Sequence, residues 1–164
     1  MRKIFIDFRK CVGCGSCVAA CAREHNGEPN ITLIEASEIM MMSLNCRHCE
    51  NSPCMLVCSA RAIYRDEDGA VRVRHQDCVG CMLCEIACPF GMPRFDERRK
   101  VMVKCDLCAH RRKEGKLPAC VSTCPTGALV FATEDEITRI KVTQSLMRRE
   151  ELLKKVERIM GGFR

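Results

Sequence analysis

The stretch IDFRKCVGCGSCVAAC at residues 6–21 returns without a gap as VRHQDCVGCMLCEIAC at residues 73–88. A repeat of this kind outranks local propensity in deciding a fold, because a duplicated sequence unit predicts a duplicated architecture. A looser pair interleaves with the first: LNCRHCENSPCMLVCSARAI (44–63) matches VKCDLCAHRRKEGKLPACVSTCPTGAL (103–129) once the latter is allowed a loop. Eleven residues separate Cys108 from Cys120, whereas two separate the corresponding cysteines of the first and third runs. The order is therefore A-B-A-B, a duplicated two-motif unit.

The four runs are Cys11, Cys14, Cys17, Cys21; Cys46, Cys49, Cys54, Cys58; Cys78, Cys81, Cys84, Cys88; and Cys105, Cys108, Cys120, Cys124. They use all 16 cysteines of the 164-residue chain. Aromatic content is 4%, with one Tyr and no Trp, so the ordinary apolar core is thin and something else must hold the chain together. Disulfides, structural zinc and iron–sulfur clusters all use cysteine this heavily. The opening MRKIFIDFRKCVGC has no apolar run of signal-peptide length and no stretch resembles a membrane span. A cytoplasmic protein with reduced thiols is expected, which disfavours disulfides.

The first and third runs have the form C-x2-C-x2-C-x3-C, and Pro follows Cys88 and Cys124, as in bacterial ferredoxin-type ligation. Ala22 and Ser59 replace that Pro after the other two runs. A cubane needs four soft anionic ligands, and three closely spaced cysteines must bring the backbone tightly around one face of it. Gly13, Gly15 and Gly80 suit that approach. Cys17 and Cys21, like Cys84 and Cys88, stand at i and i+4 on an expected short helix, so the fourth cysteine can serve a second cluster. Zinc ribbons do not require three cysteines at i, i+3 and i+6 with a fourth at i+10. Four [4Fe-4S] clusters are the expectation. Spacing leaves open whether the runs pair in nested or in tandem order.

The run order and the KCDLC…PACVSTCPTGAL ending resemble the four-cluster iron–sulfur subunits of the molybdopterin oxidoreductase (DMSO reductase) family over roughly residues 1–132. The resemblance implies an α+β fold: a double, pseudo-duplicated bacterial ferredoxin-like fold with short strands and cluster-binding loops, plus a C-terminal helix. It implies nested pairing, run 1 with run 4 and run 2 with run 3. The implied ligand sets are Cys11, Cys14, Cys17 and Cys124; Cys21, Cys105, Cys108 and Cys120; Cys46, Cys49, Cys54 and Cys88; and Cys58, Cys78, Cys81 and Cys84. It implies an electron carrier, not itself an enzyme, between a catalytic oxidoreductase subunit and a second redox protein. The compact chain looks most like the subunits associated with carbon monoxide dehydrogenase, formate dehydrogenase or hydrogenase complexes.

Around the runs, strands are expected at KIFID (3–7), NITLIEA (30–36), AIYRD (62–66), AVRVR (70–74) and ALVFA (128–132), with Asp68-Gly69 as a hairpin turn. IMMMSLNC (39–46) reads as irregular packing. From Thr133 to the Gly161-Gly162 stop, the 133–164 extension reads as helical, with Ile137, Ile140, Leu146, Leu152, Leu153, Val156, Ile159 and Met160 drifting in phase. One bent helix or two would fit, serving internal packing or partner docking. His25 and His48 lie near runs and can donate towards a cluster sulfur, but with no carboxylate in ligand-like spacing the expected role is a turn cap or a water-facing ring.

The net charge is +6, and the basic 110–116 loop, HRRKEGK, sits beside the fourth run. It is expected to be a docking surface for a redox partner, with Arg111, Arg112 and Lys113 as its charges. Nucleic acid is not an expected partner, because stacking aromatics are nearly absent. The competing readings are a zinc-stabilised scaffold or nucleic-acid adaptor, and a free-standing polyferredoxin. No nucleophile with a base, phosphate loop or dinucleotide fingerprint is present.

Overall fold

The computed structural model describes residues 1–37 and 40–161. Glu38, Ile39 and residues 162–164 fall outside it, and with them Ile39 of the Met-rich run and Gly162 of the expected helix stop. The chain forms two units, Met1–Phe131 and Ala132–Arg164.

The first unit follows the sequence repeat. Strand β1 (Lys3–Ile6) leads into the first run, whose end is carried by helix α1 (Ser16–Glu24). The antiparallel hairpin β2 (Ile31–Ser37) and β3 (Met40–Asn45) follows, in register from Ile31↔Asn45 to Glu35↔Met41. The second run carries the one-turn helix α2 (Pro53–Leu56), and the hairpin β4 (Ile63–Arg65) and β5 (Val71–Val73) follows it. The third run carries α3 (Leu83–Ile86), then the hairpin β6 (Arg94–Asp96) and β7 (Val101–Val103). The fourth run is split by α4 (Ala109–Lys113) and ends on α5 (Ala119–Thr123), and strand β8 (Leu129–Ala132) after it pairs with β1. Each of the first three runs is thus followed by a hairpin. The fourth is followed by a strand that returns to the beginning of the chain, and α4 is the inserted loop.

The expected strands are present, and three unanticipated strands join them. β3 lies in the Met-rich run, which the sequence assigns to packing; unbranched Met carries little strand signal. β6 and β7 are three residues each, too short to show alternation, and a polar turn makes them a hairpin. Asp96 Oδ1 accepts from the N–H groups of Arg98 and Arg99, and Lys100 N donates to Asp96 O at 2.8 Å. The second hairpin uses the same device. Asp66 Oδ1 accepts from Ala70 N at 2.7 Å, and Gly69 turns at φ 82°, as the Asp68-Gly69 signal predicts. Arg65 ties this hairpin to the second run by donating to the carbonyls of Cys49, Glu50 and Gly69.

The repeat is also legible in the backbone. The residue two beyond the first cysteine has positive φ in every run: Gly13 (67°), His48 (45°), Gly80 (67°) and Leu107 (58°). This left-handed kink is what lets a C-x2-C loop curl its N–H groups inward. A Cβ on Gly13 would meet Met41 Cβ at 2.7 Å, and one on Gly80 would meet the Lys100 carbonyl oxygen at 2.7 Å. At the other two kinks a side chain fits, because His48 and Leu107 are almost wholly buried and their packing offsets the strain.

The apolar core is thin, as the composition requires. One buried cluster centres on Ile4, Ile31, Leu107 and Leu129 and includes Cys17, Cys21, Cys46, Cys105 and Cys120; another joins Ile63, Val71 and Met102 to Cys54 and Cys84. The thiols are a large part of the interior.

The second unit is built on a single helix, α6 (Glu134–Gly161), where the drifting apolar phase had allowed two. Its start is a reciprocal capping box: Glu136 N donates to Thr133 Oγ1 at 3.2 Å, and Thr133 N donates to Glu136 Oε2 at 2.8 Å. Among the described residues no helix is long and apolar enough to cross a membrane.

Gly80→Ala combines left-handed strain with a collision against backbone oxygen and should cost at least about 2 kcal/mol. Gly115→Ala, at φ 73° with open space around it, should cost only about 1 kcal/mol. Thermal bleaching of the two variants should separate in that order, and equal losses would contradict it. Thr133→Ala should cost about 1 kcal/mol of helix stability, seen as faster amide exchange in the first turn of α6.

Candidate metal centres

The fold brings the sixteen cysteines into four groups. Cys11, Cys14, Cys17 and Cys124 line one void. Cys46, Cys49, Cys54 and Cys88 line a second, and Cys58, Cys78, Cys81 and Cys84 a third. Three voids, each with four sulfurs on its wall, are what a repeated guest requires. The other four, Cys21, Cys105, Cys108 and Cys120, are all buried. Their mutual closeness is felt electrostatically: burial first, then the neighbouring Cys108 and Cys21, push Cys120 up to about 12, and burial with Asp106 and Cys21 pushes Cys108 up to about 11.

The groups form a row. Cys17 raises Cys120, linking the first group to the second; burial and then Cys46 raise Cys105, linking the second to the third. Burial and then Cys54 push Cys84 up to about 11, linking the third group to the fourth. The connections are built into the one-turn spacing. Cys17 and Cys21 on α1, Cys54 and Cys58 at α2, Cys84 and Cys88 at α3, and Cys120 and Cys124 at α5 each send one thiol to one group and the next thiol to its neighbour.

These sites suit [4Fe-4S] clusters on three observations. No disulfide links any of the sixteen thiols. Backbone N–H groups already point at sulfur: Asn30 to Cys21 (3.2 Å), Met102 to Cys78 (3.3 Å), Leu107 to Cys105 (3.4 Å) and Met92 to Cys88 (3.5 Å). Such donors fit thiolate ligands far better than thiols. Finally, His48 is 1% exposed, and its Nδ1 accepts from Val71 N at 3.0 Å. Burial drives its pKa well below the usual value, so the ring is neutral with its proton on Nε2, and that buried N–H has no protein acceptor among the described residues. His48 lines the void of Cys46, Cys49, Cys54 and Cys88, where sulfur would supply one. It is thus no water-facing ring.

His25 does have a carboxylate neighbour, one that sequence spacing hid because it comes from the fourth run. Its Nε2 lies 3.7 Å from Asp106 Oδ1, and His25, Asp106 and Cys108 hold their ligand atoms within 4.8 Å of one another. Asp106 is otherwise occupied in capping α4, accepting from Cys108 N at 2.9 Å and Ala109 N at 3.3 Å.

The basic loop is anchored to its own fold. Arg111 pairs with Glu24 at 2.7 Å, His110 with the same carboxylate at 2.6 Å, and Arg112 with Asp68 at 2.7 Å. Arg112 also donates to the Leu107 carbonyl, so it braces the fourth run's kink. Of the three expected docking charges, Lys113 alone is exposed and outside the ion pairs seen among the described residues.

Comparison with known proteins agrees with this chemistry. The 4Fe-4S dicluster domain family matches residues 37–134, and the 4Fe-4S binding domain family matches residues 2–23. The protein is 35% identical over 153 residues to a component chain of the anaerobic dimethyl sulfoxide reductase of Escherichia coli, covering 82% of its own length and 75% of that relative. It is 36% identical over 143 residues to the thiosulfate reductase electron transfer subunit PhsB of Salmonella typhi, covering 79% and 74%. Against one of the subunits of the tetrathionate reductase of Salmonella typhimurium it is 36% identical over 141 residues, covering 78% and 56%. With its α+β fold and sixteen cysteines sufficient for four clusters, the chain belongs to the family of [4Fe-4S] ferredoxin-like electron-transfer subunits of the dimethyl sulfoxide, thiosulfate and tetrathionate reductases, the molybdopterin oxidoreductases.

Proposed function

We propose that this chain conducts electrons between a catalytic molybdopterin reductase subunit and a second redox protein, in the cytoplasm, through clusters ligated in nested pairs. In order along the row the ligand sets are Cys11, Cys14, Cys17, Cys124; Cys21, Cys105, Cys108, Cys120; Cys46, Cys49, Cys54, Cys88; and Cys58, Cys78, Cys81, Cys84. When bound, each cluster supplies a one-electron carrier. The chain's own residues fix the spacing of the carriers, exclude water from the middle of the row and leave its ends accessible. The observation that carries this reading is the pattern of exposure: Cys14 and Cys81 are the exposed cysteines, and they belong to the first and last groups. The inner group of Cys21, Cys105, Cys108 and Cys120 is buried throughout.

The named relatives favour a sulfoxide or sulfur-oxyanion reductase as the catalytic partner over the carbon monoxide dehydrogenase, formate dehydrogenase or hydrogenase suggested by the sequence resemblance. Apolar side chains are exposed beside Cys81 and on the neighbouring helices. Leu56 and Ile86, 75% and 82% exposed, lie on α2 and α3, which pack together, with Val79 and Leu83 exposed nearby. This collar suits one partner. Helix α6 within residues 133–164 and the remaining charges of the basic loop, Lys113 and Lys116, are further docking elements in this reading.

Anaerobic co-purification with a tag on this chain tests the catalytic partner. The dithionite-reduced complex should contain molybdenum and be reoxidised by dimethyl sulfoxide, thiosulfate or tetrathionate. Reoxidation by none of these, with carbon dioxide or protons as the working oxidant, would return the partner to the dehydrogenase or hydrogenase class. The double variant Leu56→Glu/Ile86→Glu should slow electron exchange with one of the two partners by about tenfold or more while leaving the visible spectrum unchanged. An unaltered rate with both partners would remove the collar from the docking surface.

A further inference from the structure

Lys104 precedes the first cysteine of the fourth run, yet it is not a surface lysine: it is 6% exposed. Its Nζ donates to the carbonyl of Val71 and, at 3.0 Å, to that of Cys105. Among the described residues no ion pair reaches it, in contrast to the nearby arginines Arg94, Arg99 and Arg112. The four acids sharing a cavity with it are engaged elsewhere: Glu24 with His110 and Arg111, Glu28 with Arg94, Asp96 with Arg99 and the turn N–H groups, and Asp106 with His25 and the start of α4. A buried ammonium satisfied by two carbonyls alone lacks the negative charge that would compensate its desolvation.

Its surroundings supply that charge once the thiols are ligands. Lys104 lines the void of Cys46, Cys49, Cys54 and Cys88, and its peptide neighbour Cys105 belongs to the adjoining group of Cys21, Cys105, Cys108 and Cys120. Its positive charge acts on Cys54 in one group and on Cys105 in the other. This is also where the two halves of the duplicated fold meet, since Cys105 and Cys46 are neighbours across the boundary between the paired runs.

We propose that Lys104 is the shared counter-cation of the two inner clusters, stabilising the added negative charge of their reduced forms and so raising their reduction potentials relative to the outer pair. The inference rests on the ligand sets proposed above. A fixed cation at low dielectric acts on the nearest clusters most strongly, and each electron gained adds a negative charge for it to stabilise. Runs 1 to 3 have an exposed Lys10, Asn45 and Asp77 before their first cysteine, so a buried cation stands at one junction and not throughout the repeat.

The test is an anaerobic redox titration of the isolated chain followed by electron paramagnetic resonance, with iron and sulfide counted on the same samples. Lys104→Met should move two of the four reduction steps to more negative potential and leave the other two in place, while Lys104→Arg should hold all four near their original positions. Four unmoved potentials in a fully loaded Lys104→Met protein would overturn the role of Lys104 and leave the ligand sets standing. Loss of two clusters from Lys104→Met with full retention in Lys104→Arg would support it through assembly. Equal loss from both variants would mark a packing role and overturn it. A parent protein without four clusters would overturn the ligand sets, and this inference with them.

Discussion

The structure depends on one reciprocal exchange. In each run the first three cysteines stay together, while the fourth, one helical turn beyond the third, is delivered to the group of the paired run. Cys21 joins Cys105, Cys108 and Cys120, and Cys124 returns to Cys11, Cys14 and Cys17; Cys58 and Cys88 are exchanged in the same way. Neither run of a pair can complete its group alone. In the proposed ligand sets, clusters would thereby tie distant segments of the chain together where ordinary apolar burial is scarce, and would couple folding to metal loading.

Much of the remaining architecture serves that exchange. The left-handed kink two residues after each first cysteine bends the loop, and the chain meets the steric demand in two ways. It uses Gly where a strand side chain or carbonyl crowds the kink, and buried His48 or Leu107 where the interior has room. The hairpins space the runs, and the pairing of β8 with β1 brings the last run back to the first. The insertion after Cys108 is held against the same unit by Glu24 and Asp68, so Arg111 and Arg112 are engaged within the fold as well as standing in a basic loop. Exposed ion pairs contribute little individually, but Arg112 also holds a backbone carbonyl of the kink itself.

The repeat and the expected strands were legible because each rests on short-range spacing or on a strong local signal. Residues 40–45, 94–96 and 101–103 escaped notice as strands because their pairing is imposed by turn geometry and tertiary context rather than by alternation. His25 and Asp106 meet only in three dimensions. The sharpest omission was Lys104, which in sequence is one of 27 basic residues. Nothing in a linear pattern distinguishes a lysine that will be buried from one that will be solvated, because its burial is created by Val71 and by the second and third runs packing around it. The nested ligand sets, conversely, came from family resemblance; the spacing by itself allowed tandem pairing equally well.

The central claim is that sixteen thiols form four cubane sites rather than a set of zinc knuckles. Iron, acid-labile sulfide and zinc measured per chain on anaerobically purified protein test it most directly. The account predicts about sixteen irons with an equal amount of sulfide and negligible zinc. A few zinc ions per chain without sulfide would contradict it, because the four groups would then be structural and the row could carry no electrons.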